Sequence, residues 1–166
     1  VFWCDFCSTV RMFGRGYRVR SSKKVVDDME MLHNKYGQSQ FTFYDDAFTV
    51  NRQHTLEMCA DIKARKLDVT WDCETRVDAV DKELLEKMHD AGCITIWFGV
   101  ESGSEKILDQ MHKKIKPEGV RLAFKTAQKA GLMTIASAVI GFPGETEETA
   151  WETINFINSL NPDDIG

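Results

Sequence analysis

The chain has 166 residues, enough for one domain with a substantial core, and its 43% hydrophobic and 28% charged residues are those of an ordinary globular protein. A formal net charge of −5 argues against a nucleic-acid surface driven by bulk electrostatics. No apolar run approaches the roughly 18 residues of a membrane span, and the stretch from Arg11 to Lys24 is too polar for a signal peptide.

Five cysteines, odd in number and scattered apart from Cys4 and Cys7, do not read as a secreted disulfide scaffold, so a reducing, cytoplasmic setting is expected. The chain opens in mid-motif on Val1, which does not read as a native start.

In chain order, the first feature is the pair in Cys4-Asp5-Phe6-Cys7. Two thiolates at i and i+3 can ligate one metal centre from a single loop, but an iron–sulfur cluster or a Cys₄ zinc site needs more than two. The next stretch, Arg11 to Arg20, interleaves arginines with aromatic residues. It can clamp a carboxylate or phosphate, or stand as a solvated loop with structural ion pairs.

Regular elements then alternate. Ser21 or Ser22 caps a helix carrying Val25, Val26, Met29, Leu32 and Tyr36 at helical spacing, with Gly37 suited to its end. Phe41 to Tyr44 is aromatic and β-branched and predicts a strand. Asn51 caps a helix with Leu56, Cys59 and Ile62 on one face, and 69–73 predicts a second strand. Asp81 caps a helix with Leu84, Leu85, Met88 and Ala91, ended by Gly92. The run from Ile94 to Val100 is almost continuously apolar, as in a parallel strand buried on both faces.

Ser104 caps Ile107, Leu108 and Met111. Pro117 opens a helix through Val120, Ala123, Phe124 and Ala127, ended by Gly131. Residues 133–140 predict a fourth strand, and Thr146 caps a last helix with Ala150, Ile154, Ile157 and Leu160. Asp90-Ala91-Gly92 and Lys129-Ala130-Gly131, each closing a helix before a strand, form a weak internal repeat. All four histidines fall in predicted helices, and Cys59, Cys73 and Cys93 read as core residues.

This alternation implies a parallel sheet with right-handed crossovers, either doubly wound or a (β/α) barrel. In both, sites form at the C-terminal ends of the strands. There the sequence has Asp45-Asp46, then Glu74-Thr75-Arg76, then Glu101-Ser102-Gly103-Ser104, then Gly141-Phe142-Pro143-Gly144-Glu145-Thr146. Each alone has an ordinary reading: Asp45-Asp46 as a turn, Glu101 as a loop acid, Gly-Phe-Pro-Gly as a turn. Their coincidence on one rim, with the cysteine loop, points to a site.

Together these residues resemble the radical S-adenosylmethionine (SAM) superfamily. Cys4-Asp5-Phe6-Cys7 is similar to the second half of its CxxxCxxC cluster loop. On that spacing the first cysteine belongs immediately before Val1. Tyr44-Asp45-Asp46-Ala47-Phe48, Gly99-Val100-Glu101-Ser102-Gly103 and Gly141-Phe142-Pro143-Gly144-Glu145-Thr146 are similar to segments of the subfamily that often carries a cobalamin-binding domain. The stretch Met12 to Ser21 also fits.

The resemblance implies an α/β fold, a partial (β/α)₆ TIM-like barrel with about five βα units, and residues 1–166 as a core truncated at both ends. It implies a [4Fe–4S] cluster held by three cysteines, Cys4 and Cys7 among them, with SAM bound to the open iron and cleaved reductively to methionine and a 5′-deoxyadenosyl radical. Phe6 would lie beside the adenine. Tyr44, Asp45 and Asp46 would hold the methionine amino group. Arg76 would pair with the carboxylate. Glu101, with Ser102, would take ribose hydroxyls, and the Gly141, Pro143 and Gly144 turn would approach the adenine. Implied partners are a small-molecule substrate, an electron donor such as flavodoxin or ferredoxin, and cobalamin in a domain outside these residues.

Two other readings stand beside it. One is a non-catalytic or zinc-binding α/β module using the cysteine pair. The other, a thioredoxin-like redox pair, is disfavoured because about 14 polar or irregular residues are expected between Cys7 and the first helix.

Overall fold

Parallel strand pairing in sequence order organises the molecule. The computed structural model describes residues 4, 6–14 and 16–166, without the side chains of Val10 and Phe13. Five strands, β1 (Gln40–Phe43), β2 (Thr70–Thr75), β3 (Cys93–Glu101), β4 (Met133–Ala138) and β5 (Asp164–Ile165), form one sheet ordered β1-β2-β3-β4-β5. Every neighbouring pair is parallel. A doubly wound sheet reverses its strand order at a switch point, and this sheet does not. It is the wall of a partial (β/α) barrel.

Helices α1 (Thr9–Phe13), α2 (Ser22–Tyr36), α3 (Arg52–Arg65), α4 (Lys82–Asp90), α5 (Glu105–Gln110), α6 (Pro117–Lys129) and α7 (Glu147–Leu160) complete the chain. The expected caps form. Ser21 Oγ accepts from Lys24 N, Asn51 Oδ1 from His54 N at 3.2 Å, and Asp81 Oδ1 from Leu84 N at 2.9 Å. Thr146 and Thr149 make a reciprocal capping box. Ser104 precedes α5, but its hydroxyl makes no capping bond.

The repeat of Ala-Gly after a helix has a physical basis at its first copy. Gly92 has φ +92°, and a Cβ there would lie 2.2 Å from the Val69 carbonyl oxygen. The turn from α4 into β3 therefore accepts only glycine.

On β2, Trp71, Cys73 and Thr75 are buried against the helices, while Glu74 alternates to the other face. Trp71 donates its indole N–H to the Ala91 carbonyl at 2.9 Å. Its ring meets Phe43 edge-on, with centroids 5.7 Å apart. Cys59, Cys73 and Cys93 are buried core residues, as expected.

Three features depart from the sequence reading. Helix α1 starts at Thr9, two residues after Cys7, where an irregular stretch was expected. A fifth strand follows α7. His112 lies beyond the end of α5, with φ +51°, and not in a helix. Among the described residues no helix is long and apolar enough to cross a membrane.

Candidate active site

The C-terminal ends of β1, β2 and β3 surround a cavity of about 470 Å³. Its lining brings together the cysteine loop (Cys4, Phe6, Cys7), the loop after β1 (Tyr44, Asp45, Asp46, Ala47), Glu74 and Arg76 at the end of β2, and Glu101 at the end of β3. Thr9, Gly14, Gly16, Tyr17 and Arg18 close one side.

The cysteine loop is a turn in which Cys7 N donates to Cys4 O at 3.1 Å. It presents two thiols from one short segment, with Phe6 between them in sequence and lining the same cavity. The chemistry of this donor set suits an iron–sulfur cluster, which takes thiolates. Among the described residues no group of three or more Cys, His, Asp or Glu is placed to hold a metal ion.

Arg76 ties the cysteine loop to the barrel. It is 5% exposed. Nε and Nη2 each donate to one Asp78 carboxylate oxygen at 2.8 Å, a bidentate pair. Nη2 also donates to the Lys113 carbonyl at 2.9 Å, and Nη1 stands 3.7 Å from Cys4 Sγ.

Glu101 reaches the cavity through an irregularity. The β3–β4 register slips between Gly99 and Glu101, and Glu101 takes the left-handed conformation at φ +64°. Such a bulge re-aims a side chain at a strand end. The Glu101 carboxylate, 7% exposed, accepts from the ammonium of Lys113, 6% exposed, at 2.5 Å. Lys113 lines the same cavity.

Glu74 faces this acidic interior. Burial first, then the charges of Asp46 and Glu101, raise its carboxyl above the ordinary carboxylate range, against a smaller lowering by Lys113. Burial and the charge of Asp45 likewise raise the Tyr17 phenol.

Ser102, Gly141, Pro143 and Gly144 are at the same sheet end but do not line the cavity. Ser102 is fully buried, its hydroxyl 2.9 Å from that of Thr153 on α7. Gly144 has φ +90° and sits against the Gln110 side chain. Of the arginine-rich stretch, Arg18 lines the cavity and Arg20 pairs with Asp28 at 2.6 Å. Arg15 lies outside the described residues.

The sequence reading missed Lys113. It stands among Lys114 and Lys116, a run that reads as solvated charge. The detectable signal was alternation: Met111, Lys113 and Ile115 are buried, while His112 and Lys114 are exposed.

A parallel partial barrel with paired cysteines and carboxylates converging at its strand ends places this chain among α/β barrels that carry their site at the strand ends. Comparison with known proteins gives the family. Residues 2–157 match the model of the radical SAM superfamily, and the chain belongs to that superfamily. An uncharacterized methyltransferase of Pyrococcus horikoshii is 38% identical over 162 residues, 98% of this chain and 35% of the relative. An anaerobic magnesium-protoporphyrin IX monomethyl ester cyclase of Rubrivivax gelatinosus is 34% identical over 164 residues, 98% of this chain and 29% of the relative. The chain thus spans about a third of the length of these relatives.

Among solved structures, the radical SAM methyltransferase TsrM from Kitasatospora setae, with cobalamin and a [4Fe–4S] cluster bound, shares the fold. Its TM-score is 0.87 at 21% identity, over 99% of this chain and 34% of that one.

Proposed function

We propose that residues 1–166 form one radical SAM catalytic core, in which the cavity at the strand ends binds a [4Fe–4S] cluster and SAM for methylation, cyclisation or rearrangement of a small-molecule substrate. One observation carries this reading. In a chain of this family, the Cys4/Cys7 turn, the Tyr44–Asp46 loop and Glu101 all line a single cavity. The named activities of the relatives, methylation and cyclisation, support the reaction class, and the structure of TsrM with tryptophan supports a small-molecule substrate.

Cys4 and Cys7 would be two of the cluster's three ligands. When bound, the cluster supplies the electron that splits SAM to methionine and a 5′-deoxyadenosyl radical. The chain's own residues bind and orient. Phe6 offers the adenine an apolar face. Tyr44, Asp45 and Asp46 offer carboxylate or carbonyl acceptors to an ammonium. Glu101 accepts from ribose hydroxyls. Arg76 lines the cavity beside Cys4, and a ligand carboxylate there would share its guanidinium with Asp78.

Ser102 keeps the Glu101 loop fixed to α7, and the Gly141, Pro143 and Gly144 turn is the proposed neighbour of the adenine. Of the cavity's lining residues, Arg76, Glu101 and Lys113 are buried and form its floor, while Tyr44, Asp45 and Asp46 are exposed at its mouth. A flavodoxin or ferredoxin is the proposed electron donor, with cobalamin held by a domain outside these residues. Five free cysteines fit a reducing cytoplasm.

The full-length protein, reconstituted anaerobically with iron and sulfide and then reduced, should turn brown and release 5′-deoxyadenosine from SAM. Cys4→Ala or Cys7→Ala should abolish the colour. A colourless protein, beside a known radical SAM enzyme that turns brown in the same preparation, would sink the reading.

A further inference from the structure

Three observations converge on Lys113. The first is backbone strain. His112 and Lys114, on either side of it, both adopt left-handed conformations, at φ +51° and +55°. A non-glycine residue is disfavoured there, and such strain persists only where the surroundings over-determine it. Two such residues in a row of three turn the Lys113 side chain inward, while His112 and Lys114 stay exposed.

The second is the seat made for its ion pair. A Cβ on Gly99 would fall 2.5 Å from Glu101 Oε1 and 2.9 Å from Lys113 Nζ. Only glycine leaves room there for the pair. The third is connection to the rest of the cavity. The Lys113 ammonium lies 5.8 Å from the centre of the Phe6 ring, and its carbonyl accepts from Arg76. The cysteine loop, β2 and β3 thus meet at one lysine.

A buried lysine satisfied only by a structural partner would need no opening to the cavity. Lys113 lines it. Its hydrogen bond occupies Oε1 of Glu101, so the carboxylate cannot rotate freely, and among the described residues Oε2 is the oxygen left for another donor. We propose that Lys113 is a positioning residue for Glu101: the ion pair fixes the carboxylate on its left-handed strand end, with one oxygen held for a ligand hydroxyl. The inference rests on the SAM-binding reading and specifies how the ribose is held.

The test is SAM affinity of the cluster-loaded full-length protein, by isothermal titration, for Lys113→Met, Lys113→Arg, Glu101→Gln and the Glu101→Gln/Lys113→Met pair. Ligands are SAM and its 2′-deoxy and 3′-deoxy analogues. Lys113→Met should weaken SAM binding about tenfold, and Lys113→Arg should restore part of the loss. The Lys113→Met penalty should largely vanish in the Glu101→Gln background and toward at least one deoxy analogue.

Thermal melting accompanies each variant, because a lysine-free site leaves Glu101 unpaired. The double variant, uncharged at both positions, keeps the question answerable if the single one unfolds: its affinity should match that of Glu101→Gln alone. Unchanged SAM affinity in Lys113→Met overturns the inference while the SAM reading stands. So does an equal penalty toward SAM and both analogues, or a double variant much weaker than Glu101→Gln. A wild-type protein that binds no SAM overturns both.

Discussion

Arg76 and Cys4 are 72 residues apart in sequence, yet the guanidinium Nη1 stands 3.7 Å from the thiol Sγ. The same side chain spans Asp78 and the Lys113 carbonyl. One residue at the end of β2 therefore joins the cysteine loop to the segment that carries the buried lysine. Arg76→Met leaves the Lys113 carbonyl without this donor and removes a bidentate pair. Losses of this kind cost about 1–3 kcal/mol. For a chain of this size the melting temperature should fall by roughly 2–4 °C per kcal/mol. Arg76→Lys should recover little, since an ammonium cannot span both partners. Melting followed by circular dichroism checks it, and an unchanged midpoint in Arg76→Met would contradict the bridging role.

Glu74 gives a pH prediction. Its carboxyl is raised in the folded protein, mainly by burial and by Asp46 and Glu101. A raised group binds its proton more tightly when folded than when unfolded. Its contribution to stability is therefore fully present below the ordinary carboxylate value and is lost as pH rises through the folded value. Glu74→Gln should thus stabilise the protein at neutral pH relative to wild type, and the gain should shrink as pH falls through the raised folded value and be gone below the ordinary carboxylate value. Denaturant midpoints for both proteins across that range decide the matter; a pH-independent difference would count against it.

The cysteines separate into two populations. Burial pushes the Cys59 thiol up to about 12, and burial with the neighbouring Cys73 raises Cys93 as well. The thiolate is the reactive form, so these core thiols are inert while the protein is folded. Cys4 and Cys7 are only part-buried and line the cavity. Iodoacetamide should therefore alkylate Cys4 and Cys7 first in the metal-free folded protein, and all five cysteines only in denaturant. Rapid native labelling of Cys59 or Cys93, read by peptide mass spectrometry, would refute this ordering.

Much of the architecture was legible because local signals agreed. Asp81 and Thr146 stand where helices begin, and their side chains do cap α4 and α7. The apolar run at Ile94–Val100 lies inside β3, the strand flanked by β2 and β4. What was not legible is short or decided by tertiary contact. Helix α1 has five residues and β5 has two, too few for a periodicity to register. Lys113 lies in register with the apolar Met111 and Ile115, but three alternating residues inside a lysine-rich run are too short a pattern to register before the backbone is known. The Arg76 partners Asp78 and the Lys113 carbonyl were equally invisible, because a backbone acceptor leaves no mark in sequence. The cavity residues named from the rim were found because strand ends in parallel sheets share one side.

Two glycines on β3 and its approach should respond differently to alanine. At Gly92 the new Cβ would meet the Val69 carbonyl oxygen at 2.2 Å, on a residue with φ +92°. Backbone cannot step aside cheaply, so Gly92→Ala should destabilise the fold by more than about 2 kcal/mol. At Gly99 the Cβ would meet only the ends of the Glu101 and Lys113 side chains. Those ends can move, at the cost of their geometry. Gly99→Ala should therefore change the melting midpoint much less than Gly92→Ala, yet weaken SAM binding, since the pair it displaces is the one proposed to hold the ribose. Melting and titration on the same two variants separate the effects. If Gly99→Ala melts as low as Gly92→Ala, or binds SAM as tightly as wild type, the Glu101–Lys113 seat is not what orders that side of the cavity.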